Sequence, residues 1–194
     1  MTKSIEFYYD FVSPYSFLAH KRIREIEKIE SINFIYKPIL LGGLHNLSSI
    51  TAPAFIDSKR DFIMQDCEMV AKKFNINFKF NNKFPINSLN LMRGILIINK
   101  ELENKYIDLF FDAYWSFNID LSDEKKVINI LEKIKINVNN FFNDIKKQET
   151  KDLLKSHTKE AFDKKIFGAP TFIVNNKLFW GQDRLDYVLD EIKN

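Results

Sequence analysis

The sequence predicts an α/β fold in which one small domain is interrupted by an all-helical insertion. Three features predict it. An aromatic-rich strand, an amphipathic helix and a second strand follow one another over residues 5–38. Near the C-terminus two short apolar runs flank Asn175-Asn176-Lys177, a turn signal, and lead into a closing helix. Between these ends the periodicity is helical only. A sheet split between the two ends of the chain, with helices inserted, is the arrangement this pattern describes.

The elements follow in order. Residues 5–12 (Ile5-Glu6-Phe7-Tyr8-Tyr9-Asp10-Phe11-Val12) read as a strand. Ser13 then suits an N-cap and Pro14 the first helical position, where its missing N–H costs nothing. Phe17, Leu18, Ala19, Ile23, Ile26 and Ile29 continue at helical spacing. Ile32, Phe34 and Tyr36 alternate through Pro38, giving a βαβ unit with a parallel pair and a right-handed crossover. A loop or short helix covers 41–53. Helical patterns run over 58–74, 88–103, 104–117, 124–135 and a broken 138–163, with 75–87 as a connection. Strands are expected at 171–174 and 177–180, and a helix over 184–192. The discontinuous domain is expected over 1–45 and 160–194, and the helical insertion over 46–159. The stripe Tyr106, Leu109, Phe110, Ala113, Tyr114 and Phe117 reads as core or dimer interface.

Composition narrows the function classes. A chain of 194 residues with 45% hydrophobic and 28% charged side chains can build a core without disulfides. A net charge of +3, with lysines spread among acidic residues, does not describe a nucleic-acid surface. The single Cys67 has no internal partner, which fits a reducing compartment. Its neighbours Asp66 and Glu68 raise a thiol pKa, so a catalytic role there is not expected. No secretory signal follows Met1, and no apolar run approaches the roughly 18 residues of a membrane helix. The expectation is a cytoplasmic, soluble protein with no membrane or nucleic-acid partner. Three scattered histidines and one cysteine offer no metal-binding spacing.

Two segments carry the chemistry. Ser13 and Ser16 stand at a helix start, where unpaired N–H groups and the helix dipole favour an anion such as a thiolate. A cysteine there would be acidic; a serine can donate a hydrogen bond to a thiolate brought from outside, or can serve only as an N-cap. Far along the chain, Phe167-Gly168-Ala169-Pro170-Thr171-Phe172 reads as a proline loop before a strand, and the sequence leaves the Ala169-Pro170 bond open between cis and trans, since only about 5–6% of X–Pro bonds are cis. The Ala169 backbone, free of the sheet there, is open to an extended peptide. Trp180-Gly181-Gln182-Asp183 ends the hairpin, and Asp183 is either a helix cap or a carboxylate for a ligand ammonium. A cysteine-containing peptide with a free amino-acid end, its sulfur at Ser13, is glutathione in outline.

Across nearly its whole length the sequence resembles the 2-hydroxychromene-2-carboxylate isomerases and their relatives, the kappa-class glutathione transferases, of the DsbA-like thioredoxin superfamily. The matching segments are Phe7–Ser16, Phe84-Pro85-Ile86-Asn87-Ser88-Leu89 with Met92-Arg93, Phe167–Phe172, and Trp180–Leu185. The resemblance implies a thioredoxin-like domain interrupted by a helical insertion, a homodimer, and glutathione as cofactor. It places Ser13 on the glutathione-activating serine and Ala169, with Pro170, on the unit that pairs with the glutathione backbone. Trp180, Gly181, Gln182 and Asp183 fall on the segment that holds the γ-glutamyl end. A substrate carboxylate would be read by His45, Lys59 or Arg60, each of which also has a bland reading as a loop or surface residue. Arg93, with Asn90 on a helical segment, borders the pocket or makes a structural ion pair. Where the family often has Gly-Asn-x-Pro-Pro, this chain has Ser49-Ile50-Thr51-Ala52-Pro53, so an asparagine ligand is replaced by Ile50. The expected activity is a glutathione-dependent isomerase acting on an aromatic or unsaturated carboxylic acid. A transferase or peroxidase and a glutathione-binding module without turnover are the alternatives.

Overall fold

The computed structural model describes residues 4–193. Its sheet has the order β2-β1-β3-β4, with β1 (Ser4–Tyr9), β2 (Asn33–Pro38), β3 (Thr171–Val174) and β4 (Lys177–Trp180). β1 runs parallel to β2 and antiparallel to β3, which is antiparallel to β4. Phe7 stands opposite Tyr36 on one side and Phe172 on the other. The hairpin turn uses Asn175 and Asn176 at φ of 49° and 60°, the left-handed conformation asparagine tolerates best after glycine.

Alternation along β1 divides the two layers. Ile5, Phe7 and Tyr9 are fully buried toward α1 (Pro14–Ile29) and α5 (Lys100–Trp115). Tyr8, on the opposite face, packs with Ile39, Leu44 and Ala161 under α2 (Leu41–Leu47) and α8 (Gln148–Asp163). The apolar face of α9 (Leu185–Lys193) joins the first layer through Leu185, Val188 and Ile192. The start of α1 is enclosed on all sides, since Ser16 through His20 are all buried.

Every element between 41 and 163 is helical: α2, a 3₁₀ turn at Pro53–Phe55, α3 (Asp57–Lys73), α4 (Leu89–Gly94), α5, α6 (Glu124–Lys133), α7 (Val138–Asp144) and α8. The expected boundaries at 45/46 and 159/160 fall inside α2 and α8, which pack on each other as part of the sheet's second cover. The expected helix over 88–103 is shorter: α4 stops at Gly94, and α5 starts afresh at Lys100. A Cβ at Gly94 would collide with the Tyr106 hydroxyl and the Phe141 ring, so glycine there admits α5 and α7 to close range. The Tyr106 stripe is core through Tyr106, Phe110 and Tyr114, whereas Phe117 is exposed.

The insertion also reaches the turn ahead of the first helix. Trp115 is fully buried and its Nε1 donates to the Phe11 carbonyl at 2.8 Å. Phe78, Phe80 and Phe84 surround its indole with centroids 5.6–5.9 Å away. The turn that carries Ser13 is therefore held from the insertion side as well as by β1. Among the described residues no helix is long and apolar enough to cross a membrane.

Candidate active site

Ser13 caps α1 as its sequence context requires. Its Oγ accepts the Ser16 N–H at 3.1 Å, and its hydroxyl donates to the Ala169 carbonyl at 2.9 Å across 156 residues of chain. The side chain is only 3% exposed, yet it lines a cavity of about 1090 Å³. The Ala169-Pro170 bond is cis, and so is Phe84-Pro85, a second proline loop on the same cavity. The Ala169 carbonyl is thus engaged by Ser13 rather than left open. Rotation about Cβ–Oγ would release the proton to an anion in the cavity while Oγ keeps its bond from Ser16. The exchange favours the anion, because a charge-assisted hydrogen bond is roughly twice as strong as a neutral one.

Tyr15, the second residue of the helix, also lines the cavity. Burial pushes its phenol above the usual range, and its hydroxyl bonds to the Asp66 carboxylate, so it stays protonated at neutral pH. Cys67 is fully buried on α3; burial first, then Asp66 and Glu68, raises its thiol well above the ordinary value. It is no nucleophile. Ser16 Oγ is buried without a hydrogen-bond partner, and the residue does not line the cavity.

The residues suggested for carboxylate reading separate. His45 and Lys59 line the cavity; Arg60 does not, and its guanidinium pairs with Asp57 at 2.9 Å on the surface of α3. Burial lowers the His45 pKa, which leaves a neutral imidazole at pH 7. Among the described residues lining the cavity, Lys59 is the one lysine or arginine and no carboxylate side chain occurs. Most of the remaining wall is apolar, with Phe62, Ile63, Phe84 and Ile86 beside Ile50, and Asn46, Thr51, Ser58 and Asn87 add uncharged polar groups. Neither Asn90 nor Arg93 reaches the cavity, and Arg93 Nε is buried without a hydrogen-bond partner.

The segment after β4 lies at the cavity rim. Trp180 lines the cavity, half exposed, with its ring 5.1 Å from that of Phe167. A Cβ at Gly168 would lie 2.6 Å from Trp180 Nε1, so the glycine lets the indole lie on the proline loop. Gly181 adopts φ 108°, a conformation L residues rarely take, and its N–H donates to the Pro170 carbonyl at 3.0 Å. Gln182 is buried, with its side-chain Oε1 lacking a hydrogen-bond partner. Asp183 is exposed beside Arg184, 3.5 Å away, and with Gln182 sits outside the cavity proper. Arg22 anchors this turn: its guanidinium donates to the Gln182 carbonyl at 3.1 Å, pairs with Asp186, and stacks on Phe74.

The sequence pattern did not single out Asp10, Ser88 or Arg22. Asp10 is fully buried directly after β1, and its carboxylate takes hydrogen bonds from Val12, Leu41 and Ser88. The available signal was a carboxylate set between Tyr9 and Phe11 in an otherwise apolar run. For Arg22, on a polar-looking helix face, no local signal exists.

The fold and site meet known proteins here. Residues 4–193 match the family model of the DSBA-like thioredoxin domain. The chain belongs to that family. Within it, the DsbA-like chain is 24% identical over 194 residues to the 2-hydroxychromene-2-carboxylate isomerase of Sphingobium xenophagum, covering 97% of each. It is 22% identical to glutathione S-transferase kappa 1 of Rattus norvegicus, covering 96% of this chain and 91% of that one. A solved 2-hydroxychromene-2-carboxylate isomerase superposes with a TM-score of 0.89 over 97% of this chain and 94% of that one, at 23% identity. The thioredoxin-like α/β fold with inserted helices is therefore the fold of the DsbA-like family. Ser13 and Ser16 stand at the helix start, so this member has no C-x-x-C dithiol there.

Proposed function

We propose that the protein is a glutathione-dependent isomerase of the 2-hydroxychromene-2-carboxylate isomerase type, acting on an aromatic or unsaturated carboxylic acid. The observation that carries this reading is Ser13: a buried hydroxyl at a helix N-terminus, against a cis-proline loop, with no cysteine beside it and an apolar cavity in front. Glutathione, when bound, supplies a thiolate that adds reversibly to a conjugated carbon, so that the former double bond can rotate before the same thiolate leaves. The names borne by the isomerase and kappa transferase relatives support glutathione as the thiol.

The residues fit such a ligand. Ser13 donates to the sulfur, and the first N–H groups of α1 add the positive end of the helix dipole. Ala169 and Pro170 present the loop against which the cysteinyl backbone lies. Gly181, Gln182 and Asp183 take the γ-glutamyl end, where the exposed Asp183 carboxylate can pair with the ammonium. Trp180 covers the rim. Lys59 reads the substrate carboxylate and neutral His45 offers it a hydrogen bond; the apolar wall excludes water and orients the ring. Arg60, committed to Asp57, takes no part.

One observation favours a second reading. With a single cation on the cavity, glutathione's glycyl carboxylate and an acidic substrate would compete for Lys59. An uncharged electrophile avoids that competition, and the protein would then be a glutathione transferase. Chromene carboxylates, benzylidene pyruvates and halogenated nitroarenes assayed with limiting glutathione separate the two. Many turnovers of an acid with glutathione unconsumed are expected. Stoichiometric loss of glutathione would install the transferase; binding without either would leave a binding module.

A further inference from the structure

Asp10 is the fully buried carboxylate that the proposed chemistry leaves unused. A buried carboxylate is costly unless its oxygens are satisfied. Among the described residues no cation pairs with it; donors satisfy it instead. Oδ1 accepts the Val12 N–H at 3.1 Å, Oδ2 accepts the Leu41 N–H at 2.8 Å, and the Ser88 hydroxyl bonds to the same carboxylate. The Asp10 carbonyl additionally accepts the Ser13 N–H at 3.0 Å.

The placement of those donors is the informative part. Val12, Leu41 and Ser88 all line the cavity, whereas Asp10 itself does not. Val12 precedes the sulfur-side residue Ser13. Leu41 opens α2, the helix that carries His45. Ser88 follows the cis-Pro85 loop and precedes α4. Three chain segments distant in sequence, one from the β1–α1 turn and two from the start and middle of the helical region, are thus joined behind the cavity by one side chain. An asparagine of the same shape cannot replace it. Both oxygens face donors, and an amide nitrogen in either place would meet an N–H or O–H without an acceptor.

We propose that Asp10 is a positioning residue that holds three walls of the cavity at one spacing, so that a sulfur at Ser13 and a substrate held by α2 and the 84–88 loop meet in a single geometry. The proposal rests on the reading of Ser13 as the thiolate site. Its physical basis is the steep dependence of a two-reactant step on alignment, where a displacement of about 1 Å can cost on the order of 100-fold in rate. Asp10 touches neither reactant and moves no proton.

Asp10→Asn and Ser88→Ala test it. Glutathione affinity in both variants should stay within about twofold of wild type, because the 169–183 segment is untouched, while kcat falls about 10- to 100-fold in Asp10→Asn and less in Ser88→Ala. The double variant should lose no more than Asp10→Asn alone, since both substitutions open the same tie. Raising the pH should not restore kcat, in contrast to a variant that loses thiolate stabilisation. Hydrogen exchange reads the tie without turnover: the Val12 and Leu41 amides should exchange faster in Asp10→Asn. Unchanged exchange at both amides, or a lowered Tm with kcat intact in both variants, would overturn the proposal. Should Asp10→Asn not fold, Ser88→Ala decides alone by the same kcat criterion. Wild-type protein that binds no glutathione would sink the thiolate reading instead, and exchange at the two amides would then decide the tie.

Discussion

The two sides of the cavity are built in opposite ways. On the sulfur side, Ser13, Ala169 and Asp10 are buried, bonded across long sequence separations, and backed by the aromatic face of β1 and by Trp115. On the facing wall, Phe55 and Phe62 are 71% and 62% exposed and Ile50 is 38% exposed. The charges nearby are a surface Arg60–Asp57 pair and Lys59, which makes no ion pair among the described residues. A rigid side suits a group whose chemistry depends on alignment and dipoles. An exposed apolar wall suits selection by shape, and substitutions there leave the core untouched.

The largest expected effect breaks the rigid side. Ser13→Ala should fold and bind glutathione, with the pKa of the bound thiol raised by roughly one to two units, the worth of one hydrogen bond to a charged group. Thiolate absorbance at the ultraviolet edge, titrated in the complex, measures this. Activity at neutral pH should fall about 10- to 100-fold and return as pH rises. A loss of about 1 kcal/mol in stability, with thiol pKa and rate unchanged, would reduce Ser13 to an N-cap.

Next comes the rim. Asp183→Ala should weaken glutathione binding by about 1 kcal/mol, roughly fivefold, because the carboxylate is exposed and solvent screens its pairing. Calorimetric titration checks it, and an unchanged affinity would remove Asp183 from the head-group site. Smaller still is the facing wall. Lys59→Ala should raise KM for an acidic substrate about two- to fivefold and leave that for an uncharged one alone. Arg60→Ala should change neither, since its partner is Asp57. Equal effects of the two substitutions would erase the distinction between an inward and an outward cation.

The histidines sharpen the contrast by pH. His20 is fully buried, stacked on Phe111 at 5.0 Å, with Nδ1 2.9 Å from the Tyr36 hydroxyl and Nε2 facing Asp108 at 2.9 Å. Burial lowers its pKa although Asp108 opposes the shift; His45 is lowered by burial alone. A lowered folded pKa means the unfolded chain binds the proton first. Each histidine therefore costs stability as pH falls from about 6.5 toward its folded value. Melting temperatures between pH 7 and 5 should decline less in His20→Gln than in wild type, and His45→Gln should alter the slope least.

Much of this was legible because the signals are local. Ser13-Pro14 announces a helix start through cap and proline chemistry, and Asn175-Asn176 a hairpin through left-handed backbone. The aromatic run over 5–12 announces a strand, whereas the division of Ile5, Phe7 and Tyr9 from Tyr8 between two covered faces comes from the structure. The single long helix over 88–103 misled because apolar spacing continues through Gly94, whose role is to admit Tyr106 and Phe141 from other helices.

The sequence by itself determined the order of elements, the serine in place of a redox cysteine, and the family to which these belong, since each rests on residues close together in the chain. Only the tertiary structure decided that Lys59 faces inward while the adjacent Arg60 faces Asp57, that burial lowers the His45 pKa, and that Ser13 donates to Ala169. It also gathered Val12, Leu41 and Ser88 onto Asp10. Those outcomes depend on rotamers, desolvation and partners brought together from far along the chain, and no periodicity along one segment encodes them.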